Sequence, residues 1–156
     1  SDIMNLTADI LRAIKIETIL QISNINIPKL ISTELNISID ILKNGEISEL
    51  LKLNCDWLDS LLRVKDIKSL ENIIEKVPNI LKKELETLLE KSREVNYSNI
   101  IIAPMYYGSL KYYNGVYYRV IDKNLVLCRG GMYEADGISS LGFALYTDNL
   151  LKMLEG

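Results

Sequence analysis

Apolar residues recur at helical spacing from the first positions onward. Ile3, Leu6, Ile10, Ala13 and Ile14 predict an amphipathic helix over roughly 3–15. Glu17 to Ile22 follows with β-branched Thr18, Ile19 and Ile22, which predicts a short strand. Asn26 reads as an N-cap, with Pro28 in the first turn, where its missing N–H costs nothing; Leu30, Ile31 and Leu35 give that helix a buried face. Ser38 is the next cap, its hydroxyl placed to accept from first-turn N–H groups. From there to Val95 the pattern predicts helix after helix. Asn44-Gly45 breaks one, and the next faces are Ile47/Leu50/Leu51 and Trp57/Leu58/Leu61/Leu62. Asp66 caps a helix with Ile67, Leu70, Ile73 and Ile74 inside. Pro78 opens the longest, with Leu81, Leu85, Leu88 and Leu89 inward and Lys82, Lys83, Glu86, Glu90 and Lys91 forming a solvated outer face. No fixed period recurs, which argues against a solenoid.

The pattern changes at Asn96. Asn99 to Met105 is a continuous apolar run, which predicts a strand buried on both faces. Val116–Ile121 and Leu125–Cys128 predict a hairpin across the polar turn Asp122-Lys123-Asn124. Asn114-Gly115 has hairpin chemistry too, yet two tight hairpins do not fit so short a span. Gly130 to Gly142 reads as a loop. Leu141 to Leu154 reads as a closing helix, with Leu145, Leu150, Leu151 and Leu154 available to pack. The fold class is therefore α+β, and 156 residues suit one domain.

Composition narrows the function. The net charge of −3 argues against a general nucleic-acid binder, which carries a basic patch. The chain has no histidine, so the commonest general base and the commonest zinc ligand are both missing. Cys55 and Cys128 stand alone, at no metal-ligand spacing, and read as free thiols. No apolar run approaches the ~20 residues a membrane span needs. No signal peptide is visible either, so a cytoplasmic protein is expected.

Chemistry concentrates between Tyr106 and Glu134. Tyr106, Tyr107, Tyr112, Tyr113, Tyr117 and Tyr118 lie close together among the nine tyrosines of the chain. Half-buried sheet tyrosines are the plain explanation. The functional one is a pocket for a small polar ligand, where phenol hydroxyls converge with glycine-bared backbone. Gly130, Gly131 and Gly137 match neither phosphate-loop spacing and serve equally as sites of close backbone approach. The carboxylates Asp122, Glu134, Asp136 and Asp148 are scattered, which leaves paired acid–base work unsupported. No catalytic residue, metal ligand or cofactor is expected.

Three runs carry a family resemblance: Leu110-Lys111-Tyr112-Tyr113-Asn114-Gly115, Arg129-Gly130-Gly131-Met132-Tyr133-Glu134, and Gly142-Phe143-Ala144-Leu145-Tyr146-Thr147-Asp148-Asn149-Leu150. In order and spacing they resemble the RGLDYYTG, GGRYD and GFAxGxERL motifs of the histidyl-tRNA synthetase catalytic fold. The resemblance covers nearly the whole chain, as the C-terminal part of such a domain without motifs 1 and 2. It implies a fragment of the class II synthetase-like antiparallel sheet, formed by 1–25 and 96–156, with a helical insertion over 26–95. It also implies that Asn114-Gly115 only bends a strand.

The departures from the family pattern fall on its cations. Gly108 stands at the arginine of the first motif and Lys111 at its aspartate; Met132 and Asn149 stand at the other two arginines. Adenylate formation needs fixed positive charge against the phosphoryl group. The chain thus looks like a degenerate paralogue of the kind represented by the regulatory subunits of ATP phosphoribosyltransferase. That resemblance implies a non-catalytic role in histidine biosynthesis. The implied partner is a short-form ATP phosphoribosyltransferase catalytic subunit, with histidine feedback and an oligomeric full-length form. The alternative is a divergent histidyl-tRNA synthetase or synthetase-like ligase. Tyr112, Tyr113, Gly130, Gly131 and Tyr133 match positions around the synthetase's histidine pocket and are the candidate ligand contacts.

Overall fold

In the computed structural model, residues 2–14, 17–108 and 113–155 are described. Among them a five-stranded sheet runs in the order β2-β1-β3-β4-β5, from β1 (Ile19–Asn24), β2 (Ile100–Ile102), β3 (Tyr113–Asp122), β4 (Leu125–Ala135) and β5 (Ile138–Leu145). β1 and β2 are parallel, and every other neighbouring pair is antiparallel. Helix α1 (Asp2–Ala13) precedes the sheet and α8 (Thr147–Glu155) follows it. Between β1 and β2 come α2 (Asn26–Leu35), α3 (Ile39–Lys43), α4 (Ile47–Leu51), α5 (Asp56–Leu62), α6 (Ile67–Ile74) and α7 (Asn79–Arg93). This is the α+β architecture expected.

One apolar cluster joins helices and sheet, from Leu11, Leu20 and Ile22 through Leu58, Leu61 and Leu70 to Leu81, Leu85 and Leu88. The caps follow local chemistry. Ser38 Oγ accepts from the Asp40 N–H, and Asp66 with Ser69 forms a reciprocal capping box. At α2 the cap position is Ile25 rather than Asn26, with no side-chain cap bond; Asn24 Oδ1 accepts from the Asn26 N–H at 3.0 Å instead. Asn24 Nδ2 also donates to Glu84 Oε2 at 2.8 Å, tying β1 to α7.

Further expectations are corrected. The buried stripe of α1 is Met4, Thr7, Ala8 and Leu11, while Leu6 and Ile14 are exposed. In α4 only Leu50 is buried; Ile47 and Leu51 face solvent. The run from Asn99 yields just the three residues of β2, an edge strand with Ile101 exposed, whose Ile102 N–H donates outward to the Lys65 carbonyl at 2.9 Å. Gly130–Gly142 is no loop: β4 continues to Ala135, turns at Asp136-Gly137 and returns as β5. Asp136 and Gly137 have φ of 53° and 76°, the left-handed pair a two-residue hairpin requires. Leu141 and Leu145 are accordingly strand residues, and the closing helix starts at Thr147. The hairpin at Asp122–Leu125 forms as expected, with Lys123 at φ 52°.

Candidate functional site

The site is built on one face of β3 and β4. Asn114-Gly115 lies where the ladder skips: Tyr113 pairs with Tyr133, but Tyr117 pairs with Gly131. Three residues of β3 therefore span one of β4. Gly115, at φ 85°, takes the bend the motif comparison implied, a conformation costly for any residue with a Cβ. The bulge puts Tyr113 and Tyr117 side by side, with rings stacked at 5.5 Å. Gly131 makes room for both, since a Cβ there would sit 2.7 Å from Tyr117 Cβ and 2.9 Å from Tyr113 Cδ1.

Tyr117 is buried, and its hydroxyl is fully used. It donates to the Tyr106 carbonyl at 2.6 Å and accepts from the Gly108 N–H at 3.0 Å, strapping 106–108 across the sheet. Burial pushes its phenol well above the ordinary value. The Arg119 guanidinium lies 4.0 Å from the Tyr106 ring centre and donates from Nε and Nη2 to Gln21 Oε1 at 3.3 and 3.0 Å. Directly opposite Arg119 in register is Arg129. Among the described residues its Nε is buried with no hydrogen-bond partner. Tyr106, Gly108, Tyr113, Tyr117, Arg119 and Arg129 together line a cleft of about 10 Å³. That is roughly the room one water molecule needs.

The expected contacts divide among several places. Tyr113 lines this cleft, while Gly131 leaves room for the Tyr113 and Tyr117 side chains and lines a separate cavity. Tyr133 alternates onto the same strand face as Gly131, and its ring covers Gly142, where a Cβ would come within 2.9 Å. Gly130 faces the opposite side, where a Cβ would sit 2.5 Å from the Tyr118 hydroxyl. Tyr112, with Leu110 and Lys111, lies outside the described residues. On that opposite side Tyr118 is buried, and its hydroxyl shares a 2.6 Å hydrogen bond with Thr7 Oγ1. Burial raises both this phenol and the neighbouring Cys128 thiol, the latter to about 11.

Gly108, Met132 and Asn149, which the motif comparison sets against family arginines, take up different surroundings. The Gly108 N–H is held by Tyr117. Met132 is half exposed and lines a separate cavity of about 320 Å³ with Ile3, Thr87, Lys91 and Leu141. Asn149 Nδ2 folds back onto the Val126 carbonyl at 2.8 Å. Motif reading passed over Arg119 and Arg129, because neither stands at a motif arginine. Among the described residues no group of three or more His, Cys, Asp or Glu is arranged to hold a metal ion. No helix among them is long and apolar enough to cross a membrane.

The comparisons agree with this architecture. No protein-family model matches the chain. The chain is 33% identical over 97% of its length to the ATP phosphoribosyltransferase regulatory subunit of Wolinella succinogenes. It is 31% identical over 99% to the protein of that name from Helicobacter hepaticus. The chain spans about half the length of these curated relatives, 52% and 55%. Among solved structures, an ATP phosphoribosyltransferase regulatory subunit/histidyl-tRNA synthetase from Bacillus halodurans superposes with a TM-score of 0.76 at 18% identity, over 99% of this chain and 48% of that one. A histidyl-tRNA synthetase from Nostoc gives 0.71 at 19%, over 98% and 46%. The ATP phosphoribosyl transferase (HisG:HisZ) complex from Thermotoga maritima gives 0.51 at 17%, over 82% and 53%. The fold is thus the histidyl-tRNA synthetase-like class II fold.

Proposed function

We infer that this chain, as a member of the ATP phosphoribosyltransferase regulatory subunits, is the C-terminal portion of a non-catalytic subunit serving histidine biosynthesis. One observation carries this: a third of the residues are shared across almost the entire chain with curated proteins of that name. The fold of the Thermotoga maritima complex supports an assembly with a short-form catalytic subunit. On this reading 26–95 is a helical insertion in a core made of 1–25 and 96–156. Tyr113, Gly131 and Tyr133, together with Tyr112 and Gly130, belong to a relic of the histidine pocket. Two stacked rings fill that relic, so a bound histidine would have to part Tyr113 from Tyr117. The test is reconstitution. The full-length protein added to an inactive short-form catalytic subunit restores phosphoribosyl transfer, and histidine suppresses it. A catalytic subunit left inactive at every ratio sinks the proposal.

A second reading has one observation in its favour. Arg119 and Arg129 line the cleft, so positive charge is present there even though Gly108, Met132 and Asn149 replace the motif arginines. A divergent synthetase or synthetase-like ligase would use such charge. ATP–pyrophosphate exchange by the full-length protein with histidine separates the two. No exchange is expected, and turnover above background would make the protein an enzyme.

A further inference from the structure

We propose that Arg119 and Arg129 bind one small oxyanion, a carboxylate or a phosphate, in the cleft between β3 and β4. The two side chains stand directly across the ladder from one another. Like charges so placed repel. No carboxylate pairs with either among the described residues. The Arg129 side chain makes no hydrogen bond there, and its Nε is shut away from water without a partner. Leaving a buried charged donor unmatched is costly, and a matching anion removes that cost. The surroundings are built rather than incidental. Gln21 and the Tyr106 ring fix the Arg119 guanidinium while Nη1 takes no part in its bonds to Gln21. A planar fork held in this way suits the paired oxygens of a carboxylate or phosphate. The inner space of about 10 Å³ admits one oxygen, with the rest of the ligand at the mouth beside Tyr113. Neither arginine stands at a position where the motif comparison expects a cation. Identifying the anion as an amino-acid carboxylate rests on the histidine-pocket reading above; oxyanion binding itself rests on the arginine geometry alone.

The test is thermal unfolding and calorimetric titration of the full-length protein at constant ionic strength, with potassium phosphate, histidine and histidinol as probes. Phosphate or histidine is expected to raise the melting temperature. Arg129→Met is expected to weaken binding at least tenfold, the loss of one charge-assisted hydrogen bond to a charged group. Arg129→Met should also melt no lower than wild type without anion, since it removes the repulsion; should it fail to fold, Arg129→Gln and Arg119→Gln make the same comparison. Stabilisation by histidine but not histidinol assigns a carboxylate, and stabilisation by phosphate alone assigns a phosphate. The proposal falls if neither anion stabilises the wild type, if histidinol alone matches histidine, or if the arginine variants respond as wild type does. Failure of the reconstitution with a catalytic subunit would leave this result untouched.

Discussion

At the scale of single residues, the sheet is shaped by tyrosines that need glycines opposite them. Gly130 and Gly131 are adjacent, so they serve opposite faces: Gly130 admits Tyr118, and Gly131 admits Tyr113 and Tyr117. Gly130→Ala drives a methyl into a buried ring at 2.5–2.6 Å. It should cost about 1–3 kcal/mol by overpacking, read as a lower melting temperature. Tyr118→Phe removes the hydroxyl bonded to Thr7, whose own hydroxyl still reaches the Ile3 carbonyl at 2.9 Å. With that donor still satisfied, the expected loss is only about 1 kcal/mol. Cys128 supplies a pH dependence. Burial raises its thiol from 9.0 to about 11, so the unfolded chain gives up this proton first. The contribution is complete below pH 9 and is lost as pH rises toward 11. Its slope reaches at most about 1.4 kcal/mol per pH unit. The buried phenols of Tyr117 and Tyr118, and the partly buried one of Tyr113, act in the same direction from about pH 10. Denaturant unfolding between pH 8.5 and 10 should therefore show a smaller slope for Cys128→Ala than for wild type.

At the scale of elements, the turns set the register and the register sets the site. Asp136-Gly137 holds β5 against β4. Gly137→Ala puts a Cβ at φ 76° and should weaken this hairpin by about 1 kcal/mol. Hydrogen exchange should then accelerate in β5 well before it does in β1, which is buried along nearly its whole length. A second irregularity matters more. Between the pairs Ile121–Val126 and Val120–Cys128, β4 carries one extra residue, Leu127. Without that bulge, Arg119 would face Cys128 and the two arginines would not meet. Helix α1 shows the same dependence on context. Its sequence fits an apolar stripe through Leu6 and Ile10, yet the stripe that packs includes Thr7, because Tyr118 offers that hydroxyl a partner.

At the scale of the whole molecule, the outer edge of the sheet is left open. Ile138, Leu141, Phe143, Leu145, Leu151 and Leu154 are all more than a third exposed, on β5 and α8. An edge strand and helix this apolar invite association. The chain of 156 residues taken alone should self-associate in sedimentation experiments, and the double change Leu141→Lys with Phe143→Lys should shift it toward monomer. A monodisperse monomer at tens of micromolar would contradict this. The other side of the sheet is well covered, and there the contacts of α7 with β1 and with α2 belong to one continuous core.

Much of this was legible in the sequence because it is local. Helix periodicity, the Ser38 and Asp66 caps, the proline before α7 and the Asp122–Leu125 hairpin each depend on residues a few positions apart. The motif spacing carried the fold for the same reason, since order along a chain survives divergence. The tyrosine and glycine cluster was also visible as a composition. Which tyrosine meets which glycine was not, and neither was the pairing of Arg119 with Arg129. Side chains alternate faces at every residue, so one bulge moves everything beyond it to a new partner. No local preference records where a bulge will fall; the packing of the whole sheet against its helices decides it.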